Sequence, residues 1–266
     1  MIVKSLGQAI FAAMMIACGL AGFIEGKFAP IWTPVPAATP ARELLIYLCA
    51  FVALAGGVGL LLKAAAPVAA RGLFVYLGLW MLLFKAPFII REPLQEVSYQ
   101  STGESVVWVA AAWVLAIWFS SEADKTRFAF LFGDTGLRLT RILYGLALIA
   151  FGLSHFFYVN MTTPLVPAYL PFHDAWAYIT GGGYIAAGAA IISGLLARLA
   201  AVLVALQIGL ITVLVWAPIV AAGNIDAGHW QETVVSCAIT AGAWVMADSY
   251  RDAPWLLSPR TSARGA

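Results

Sequence analysis

The residues best suited to chemistry in this chain are ionisable side chains that lie within or beside long apolar stretches. His155 lies inside one such stretch, and Glu232 begins another. Ionisable groups inside a membrane are costly and usually face the interior of a helix bundle or a wet cavity. Histidine titrates near neutral pH, and a carboxyl group exchanges protons readily, so the two suit a site that handles protons. We predict His155 and Glu232 as the catalytic residues.

His155 has three interpretations from sequence alone. It is a neutral imidazole that a neighbouring helix satisfies, a contact to a substrate, quinone or proton, or a metal or haem ligand; we assign no metal site. Five further residues are predicted to bind the substrate: Tyr178, Trp216, Tyr184, Asp174 and His229. Asp174 also suits capping of a helix amino terminus, because a carboxylate there accepts backbone N–H groups and complements the helix dipole.

The elements that position these residues are predicted to be membrane helices. The chain is 62% hydrophobic and 11% charged, with a mean hydropathy of +0.91, far outside the range of a soluble globular domain. About 20 apolar residues span the hydrocarbon core of a bilayer as a helix. We predict eight such helices, near residues 5–25, 43–63, 72–90, 105–121, 140–159, 175–196, 198–221 and 232–248. The predicted fold class is therefore an all-α integral membrane protein.

The apolar pattern is written twice in this chain. Gly19-Leu20-Ala21-Gly22-Phe23 aligns with Gly152-Leu153-Ser154-His155-Phe156, Lys85-Ala86-Pro87 with Trp216-Ala217-Pro218, and Glu104-Ser105-Val106-Val107 with Glu232-Thr233-Val234-Val235. We call positions related by this alignment matched. Fixed-period self-similarity indicates a repeated structural unit. We predict two four-helix bundles in a parallel repeat, residues 1–130 with the linker and residues 131–266 with the tail.

Differences between matched positions point to the second repeat as the place of chemistry. His155 is matched by Gly22, and Trp216 by Lys85. In the first repeat we predict that Lys85 pairs with Glu104, or with Glu25, to relieve the cost of burying the cation. In the second repeat Glu232 lacks this partner, so we predict an outward-facing cavity lined by His155, Tyr178, Trp216 and Glu232. Capping or pairing is the structural alternative for both glutamates.

Charge placement sets the expected orientation. Eleven of the 15 Lys and Arg residues fall on one predicted side, including Arg260 and Arg264 in the tail. Cytoplasmic loops are enriched in these residues, so we expect both termini in the cytoplasm and a bacterial inner (plasma) membrane location. The first apolar run has a match in mid-chain, so we expect a retained helix and not a signal peptide.

Several functional classes find no support in the sequence. Neither glycine-rich phosphate-binding pattern is present, and no basic patch suggests a nucleic-acid partner. The three cysteines form no Cys-x-x-Cys motif and are predicted to be small core residues.

The second half resembles the DoxX family of small four-helix membrane proteins. The resemblance rests on Gly152-Leu153-Ser154-His155-Phe156-Phe157, Val166-Pro167, Leu170-Pro171, Trp176-Ala177-Tyr178-Ile179-Thr180-Gly181, Gly188 and Arg198-Leu199-Ala200-Ala201, over about residues 141–220. The chain thus looks like two fused DoxX modules, the first degenerate. Members often carry Glu where this chain has Tyr184.

The resemblance implies a redox-associated membrane protein. The family takes its name from a subunit of a thiosulfate:quinone oxidoreductase, and other members are linked to thiol and oxidative-stress systems. We therefore expect a quinone or similar apolar ring compound as ligand, with the lipid bilayer and a membrane complex as partners. The alternatives are a transporter or channel for a small apolar or amphipathic solute, and a non-catalytic subunit of a membrane complex.

Overall fold

A computed structural model describes residues 3–223 and 225–256 as an assembly of long helices, with no β-strand in that part of the chain. Arg260 and Arg264, which contributed to the predicted orientation, lie outside the described residues. Eight long helices follow in order: α1 Leu6–Glu25, α2 Arg42–Leu61, α3 Ala66–Arg91, α4 Glu96–Trp118, α5 Asp134–Phe157, α6 His173–Ser193, α7 Ala197–Ala221 and α8 Ala227–Asp248. Short helices at Glu122–Arg127 and Ala129–Phe132 link α4 to α5, and another at Val159–Thr162 follows α5.

Seven of these helices, α1 to α7, are long and apolar enough to cross a membrane within the described residues. This confirms an all-α membrane protein with multiple candidate spans. Helix α8 has 22 residues but is not among the seven. Its first half carries His229, Gln231 and Glu232, which lower its hydropathy, and an eighth crossing stays a prediction.

Helices α3, α4, α5 and α8 begin several residues earlier than the apolar runs indicated. α4 begins at Glu96 and not near 105, and α8 begins at Ala227 and not near 232. The added turns of α4 and α8 are polar, and a search for apolar runs therefore omits them. These polar turns supply much of the candidate site described below.

Both α3 and α7 contain a π-helical turn just before a proline. The turns are Met81–Lys85 ahead of Pro87 and Thr212–Trp216 ahead of Pro218. Proline has no N–H to donate, and its ring clashes with the carbonyl of the preceding turn. A wider π turn accommodates this conflict without ending the helix, and π turns often occur at functional sites. Lys85 and Trp216 are the last residues of the two turns.

The helices interlock between the two halves of the chain. Each long helix packs against the next one, α8 returns to pack against α1, and α4 packs against α8. The first helix of each half therefore contacts the fourth helix of the other half. Close approach depends on glycine: a Cβ on Gly19 would lie 2.5 Å from the Leu54 backbone nitrogen, and one on Gly152 would lie 2.4 Å from Ile185 Cγ1. Small residues at such crossings allow close helix packing in membranes.

The helix assembly has two ends of different character. The basic end is the one at which α1, α3, α5 and α7 begin. There Lys4 Nζ donates to the Trp118 carbonyl at 2.7 Å, and Arg198 donates to the Ala253 carbonyl at 2.6 Å. The opposite end, at which α2, α4, α6 and α8 begin, is called the pocket end below because it holds the polar cavity.

Candidate functional site

A polar cavity of about 180 Å³ lies at the pocket end, between residues of both halves. Its walls come from the segment after α1, the π turn of α3, and the first turns of α4 and α8. The lining residues are Pro30, Thr33, Pro34, Lys85, Val97, Gln100, Ser101, Glu104, Gln231, Glu232 and Val235. We call this cavity the Lys85 pocket. Eight of the eleven residues belong to the first half.

Lys85 is the most deeply buried ionisable group of this pocket. Only 2% of the residue is exposed, and Nζ donates to Ser101 Oγ at 3.0 Å. The Thr102 hydroxyl donates to the Ser98 carbonyl at 2.8 Å and lies 3.3 Å from the Lys85 carbonyl. Because Ser101 and Thr102 both lie on α4, this helix contacts both the ammonium group and the backbone of Lys85.

Two carboxylates face the same pocket from different helices. Glu104 lies on α4, one turn beyond Ser101, and Glu232 lies on α8. Both interact electrostatically with Lys85. The structure therefore brings the predicted residues Lys85, Glu104 and Glu232 together. A direct Lys85–Glu104 ion pair stays a prediction, since the hydrogen bond that Nζ makes is to Ser101.

The matched position in the second half is filled by an aromatic ring. Trp216 is 7% exposed, and its ring centroid lies 6.3 Å from that of His229, which matches Ser101. His229 Nδ1 lies 2.5 Å from Asp226 Oδ2, and Asp226 Oδ1 accepts the His229 backbone N–H at 2.9 Å. These bonds from the His229 backbone and then from its ring hold the pKa of Asp226 below its ordinary value. His229 thus lies beside Trp216, at the start of α8.

His155 lies in different surroundings from Glu232. Its Nδ1 lies 2.8 Å from the Phe151 carbonyl, which only accepts, so Nδ1 carries the proton of this bond. The imidazole lies 5.4 Å from the Tyr184 ring, and its Cβ packs against Gly181. His155 is not among the residues that line the Lys85 pocket.

The remaining predicted site residues lie in two further places. Tyr178 packs against Phe156 at a centroid distance of 5.5 Å and is 44% exposed. Asp174, in the first turn of α6, accepts a hydrogen bond from the Thr163 hydroxyl at 2.8 Å. It lines an open surface groove formed by Thr163 and residues 170–175. The predicted second-half cavity is therefore divided among separate groups, and its role stays a prediction.

Sequence reasoning missed the polar neighbours of Lys85. Gln100, Ser101 and Gln231 line the pocket, as does Thr33 from the segment after α1. A signal was available, because Gln100 and Ser101 lie one helical turn before Glu104 and thus on the same helix face. The apolar run begins only near residue 105, so the polar turns before it fall outside the predicted helix.

The family comparison concerns the second half of the chain. Residues 136–217, about a third of the chain, match the model of the DoxX family. This confirms the resemblance predicted over about residues 141–220. No curated protein and no solved structure matches the chain.

Proposed function

We propose that this DoxX-like integral membrane protein binds the head group of a quinone or a similar small ring compound in the Lys85 pocket and exchanges protons with it. The observation that carries the proposal is a buried lysine, held by a hydroxyl group, that shares a cavity with two carboxylates. Ionisable groups at membrane depth mark ligand or proton sites. The DoxX resemblance supports the redox class of the ligand.

The pocket residues fit a ring with carbonyl oxygens. The Lys85 ammonium group and the Ser101 hydroxyl are hydrogen-bond donors, which a carbonyl oxygen requires. Pro34, Val97 and Val235 supply apolar wall. The cavity of about 180 Å³ is below the usual range of drug-sized sites, so it suits a single head group without its tail.

Glu104 and Glu232 are placed to handle the protons. When bound, a quinone would supply two-electron, two-proton chemistry, and the electrons would come from a redox partner in the membrane. A carboxyl group within hydrogen-bond reach of the ligand acts as acid or base. Glu232 is exposed at the rim, whereas Glu104 is more enclosed, so we assign proton exchange with the surroundings to Glu232 and proton transfer inside the pocket to Glu104. Lys85 keeps the deeper carboxylate from being an isolated negative charge.

Mass spectrometry of compounds extracted from protein purified in mild detergent tests this proposal. We expect wild type to retain a ring compound, and Lys85→Gln and Glu232→Gln to retain at least about tenfold less. Trp216→Phe is the matched control and should retain the wild-type amount. Bulk lipid alone in every sample, including wild type, would remove the ring-compound proposal.

The same measurement separates the Lys85 pocket from the cavity first predicted in the second half. His155→Ala leaves the Lys85 pocket intact, because His155 does not line it. We expect normal retention in this variant. A loss in His155→Ala together with normal retention in Lys85→Gln would place the ligand beside His155 and Tyr184 instead.

A second candidate is transport of a small polar solute. It is favoured by the lining of the pocket, which carries six polar or ionisable residues besides Thr33 and has no aromatic ring. The pocket also lies between the two halves, where parallel-repeat transporters place their substrates. Proteoliposomes test it: solute uptake that Glu104→Gln abolishes, without a retained ring compound, would favour transport.

We also infer that the two halves derive from one four-helix unit, 1–130 and 131–266, with all eight helices crossing the membrane. Matched contacts support this: Gly19 packs against Leu54 as Gly152 packs against Ile185, and both π turns end at matched residues. The clustering of basic residues at one end supports cytoplasmic termini in a bacterial inner membrane. Labelling of single cysteines at each end in intact cells tests the orientation.

A further inference from the structure

The hydroxyl group of Tyr144 is the most deeply buried polar group without a partner in the second half. Tyr144 lies in the middle of α5 with 0% exposure, and its Oη has no hydrogen-bond partner within the described residues. Buried polar groups in folded proteins are nearly always bonded to protein or to ordered water. An unpartnered hydroxyl costs about 1–3 kcal/mol.

The fold does not require this hydroxyl. When the alignment of Gly19 with Gly152 is extended along the helix, Phe11 matches Tyr144, and Phe11 is also 0% exposed. The same helix position is therefore filled in the first half by a ring of nearly the same shape without the oxygen. The Tyr144 hydroxyl is an addition that packing alone does not explain.

Other polar groups are added in the same region of the second half. Tyr184 on α6 matches Ala53, and His155 matches Gly22. The Tyr184 side chain is 6% exposed, its hydroxyl bonds to the Gln207 side chain, and it interacts electrostatically with Tyr144. The Tyr184 ring also contacts the His155 ring, at a centroid distance of 5.4 Å.

We propose that the Tyr144 hydroxyl binds an internal water molecule that bridges it to the polar group formed by Tyr184, Gln207 and His155. Water supplies the missing partner, since a buried water makes two to four hydrogen bonds to groups that the protein leaves unsatisfied. The site lies in the second half and is independent of the Lys85 pocket.

Hydroxyl-radical footprinting of the intact protein in detergent tests the site. Radicals formed from a bound water modify the side chain that it touches, even when that side chain is shielded from bulk solvent. We expect Tyr144 to be modified at least about tenfold faster than Phe11, its matched control. Equal protection of both residues would overturn the proposal. Ring reactivity alone does not explain such a difference, because both rings react rapidly with the radical.

Thermal unfolding of Tyr144→Phe gives a second, independent result. If a water is bonded to the hydroxyl, its removal breaks a satisfied hydrogen bond and lowers the melting temperature. If the hydroxyl is unpartnered, its removal relieves a cost and raises the melting temperature, which would overturn the proposal. Ligand retention by the Lys85 pocket should be unchanged in this variant, so failure of the water site and failure of the proposed function are distinguishable.

Discussion

The Lys85 pocket and the region around Trp216 share the same backbone conformation but contain different side chains. In both, a π turn ahead of an Ala-Pro pair presents one buried side chain to the fourth helix of its half. In the first half that side chain is an ammonium group bonded to Ser101, and a cavity remains beside it. In the second half it is an indole against His229. The residue at the end of the π turn is thus ionisable and lines a cavity in the first half, and is aromatic and packs against His229 in the second.

Because of this difference, the candidate ligand site lies mostly in the first half, whereas the sequence predicted it in the second. The DoxX match lies in the second half, whereas most of the Lys85 pocket is built from the first. Glu232 is the link, because α8 inserts its carboxylate into the pocket of the other half. The fourth helices therefore make the site a joint product of both halves, and neither half contains all three charged groups.

The largest expected effect comes from removing the charge that distinguishes the two regions. Lys85→Met removes the ammonium group that donates to Ser101 Oγ and shares the pocket with Glu104, and a hydrogen bond to a charged group contributes about 1.5–3 kcal/mol. We expect the free energy of unfolding in mild detergent to fall by an amount near the upper end of that range, because Glu104 also loses a nearby positive charge. Trp216→Phe, at the matched position, removes no charge and should have a smaller effect.

A double variant decides whether charge is the cause. Lys85→Met combined with Glu104→Gln removes both the ammonium group and the carboxyl group that lines the same pocket. We expect it to recover much of the stability lost in Lys85→Met. Should the double variant be as unstable as the single one, lost packing of the lysine stem would explain the result, and the two regions would differ in volume only.

The sequence allowed some of this comparison to be predicted and hid the rest. The apolar runs predicted the helices, because burial in lipid imposes hydrophobic length, and the alignment of the two halves predicted the matched residues Lys85 and Trp216, because both halves keep the same spacing. The position of Glu232 in the same pocket as Lys85 was not predictable, since it depends on the packing of α8 against helices of the first half. A spacing argument within one repeat cannot show contacts that form only between repeats. The same packing of α8 places Glu232 in the Lys85 pocket, which His155 does not line.

A second matched pair, Phe11 and Tyr144, tests whether a buried tyrosine hydroxyl costs the same stability in both halves. Phe11→Tyr adds to the first half the hydroxyl that Tyr144 has in the second. Phe11 is fully buried, and Ala53 and Gly22 stand where the second half has Tyr184 and His155, so the polar group proposed to hold a water is missing there. We expect Phe11→Tyr to reduce the free energy of unfolding by about 1–3 kcal/mol. Chemical denaturation in detergent measures it, with Phe11→Leu as the control for packing. An unchanged free energy of unfolding in Phe11→Tyr would show that the protein interior supplies a hydrogen-bond partner for the hydroxyl in both halves.

The smallest expected effect concerns the basic end, where an arginine of each half bonds to a different kind of acceptor. Arg71, in α3, bonds to the Asp124 carboxylate in the linker, whereas Arg198, in α7, donates to the Ala253 carbonyl. Only the first contact involves a group that titrates in acid. Hydrogen bonds from Ser121, and then the Arg71 guanidinium, hold the pKa of Asp124 below its ordinary value.

The sign of the resulting pH dependence follows from linkage. A lowered pKa in the folded state stabilises the protein fully above the ordinary Asp pKa, and this contribution is lost as the pH falls through the lowered value. Asp124→Asn should therefore slightly lower the melting temperature at neutral pH, and its difference from wild type should shrink in acid. The comparison variant Arg198→Gln should show a difference that is constant over the same pH range, because a carbonyl does not titrate. Melting temperatures measured between pH 7 and pH 3 distinguish the two, and equal pH slopes would mean that Asp124 contributes no more through its charge than a neutral acceptor does.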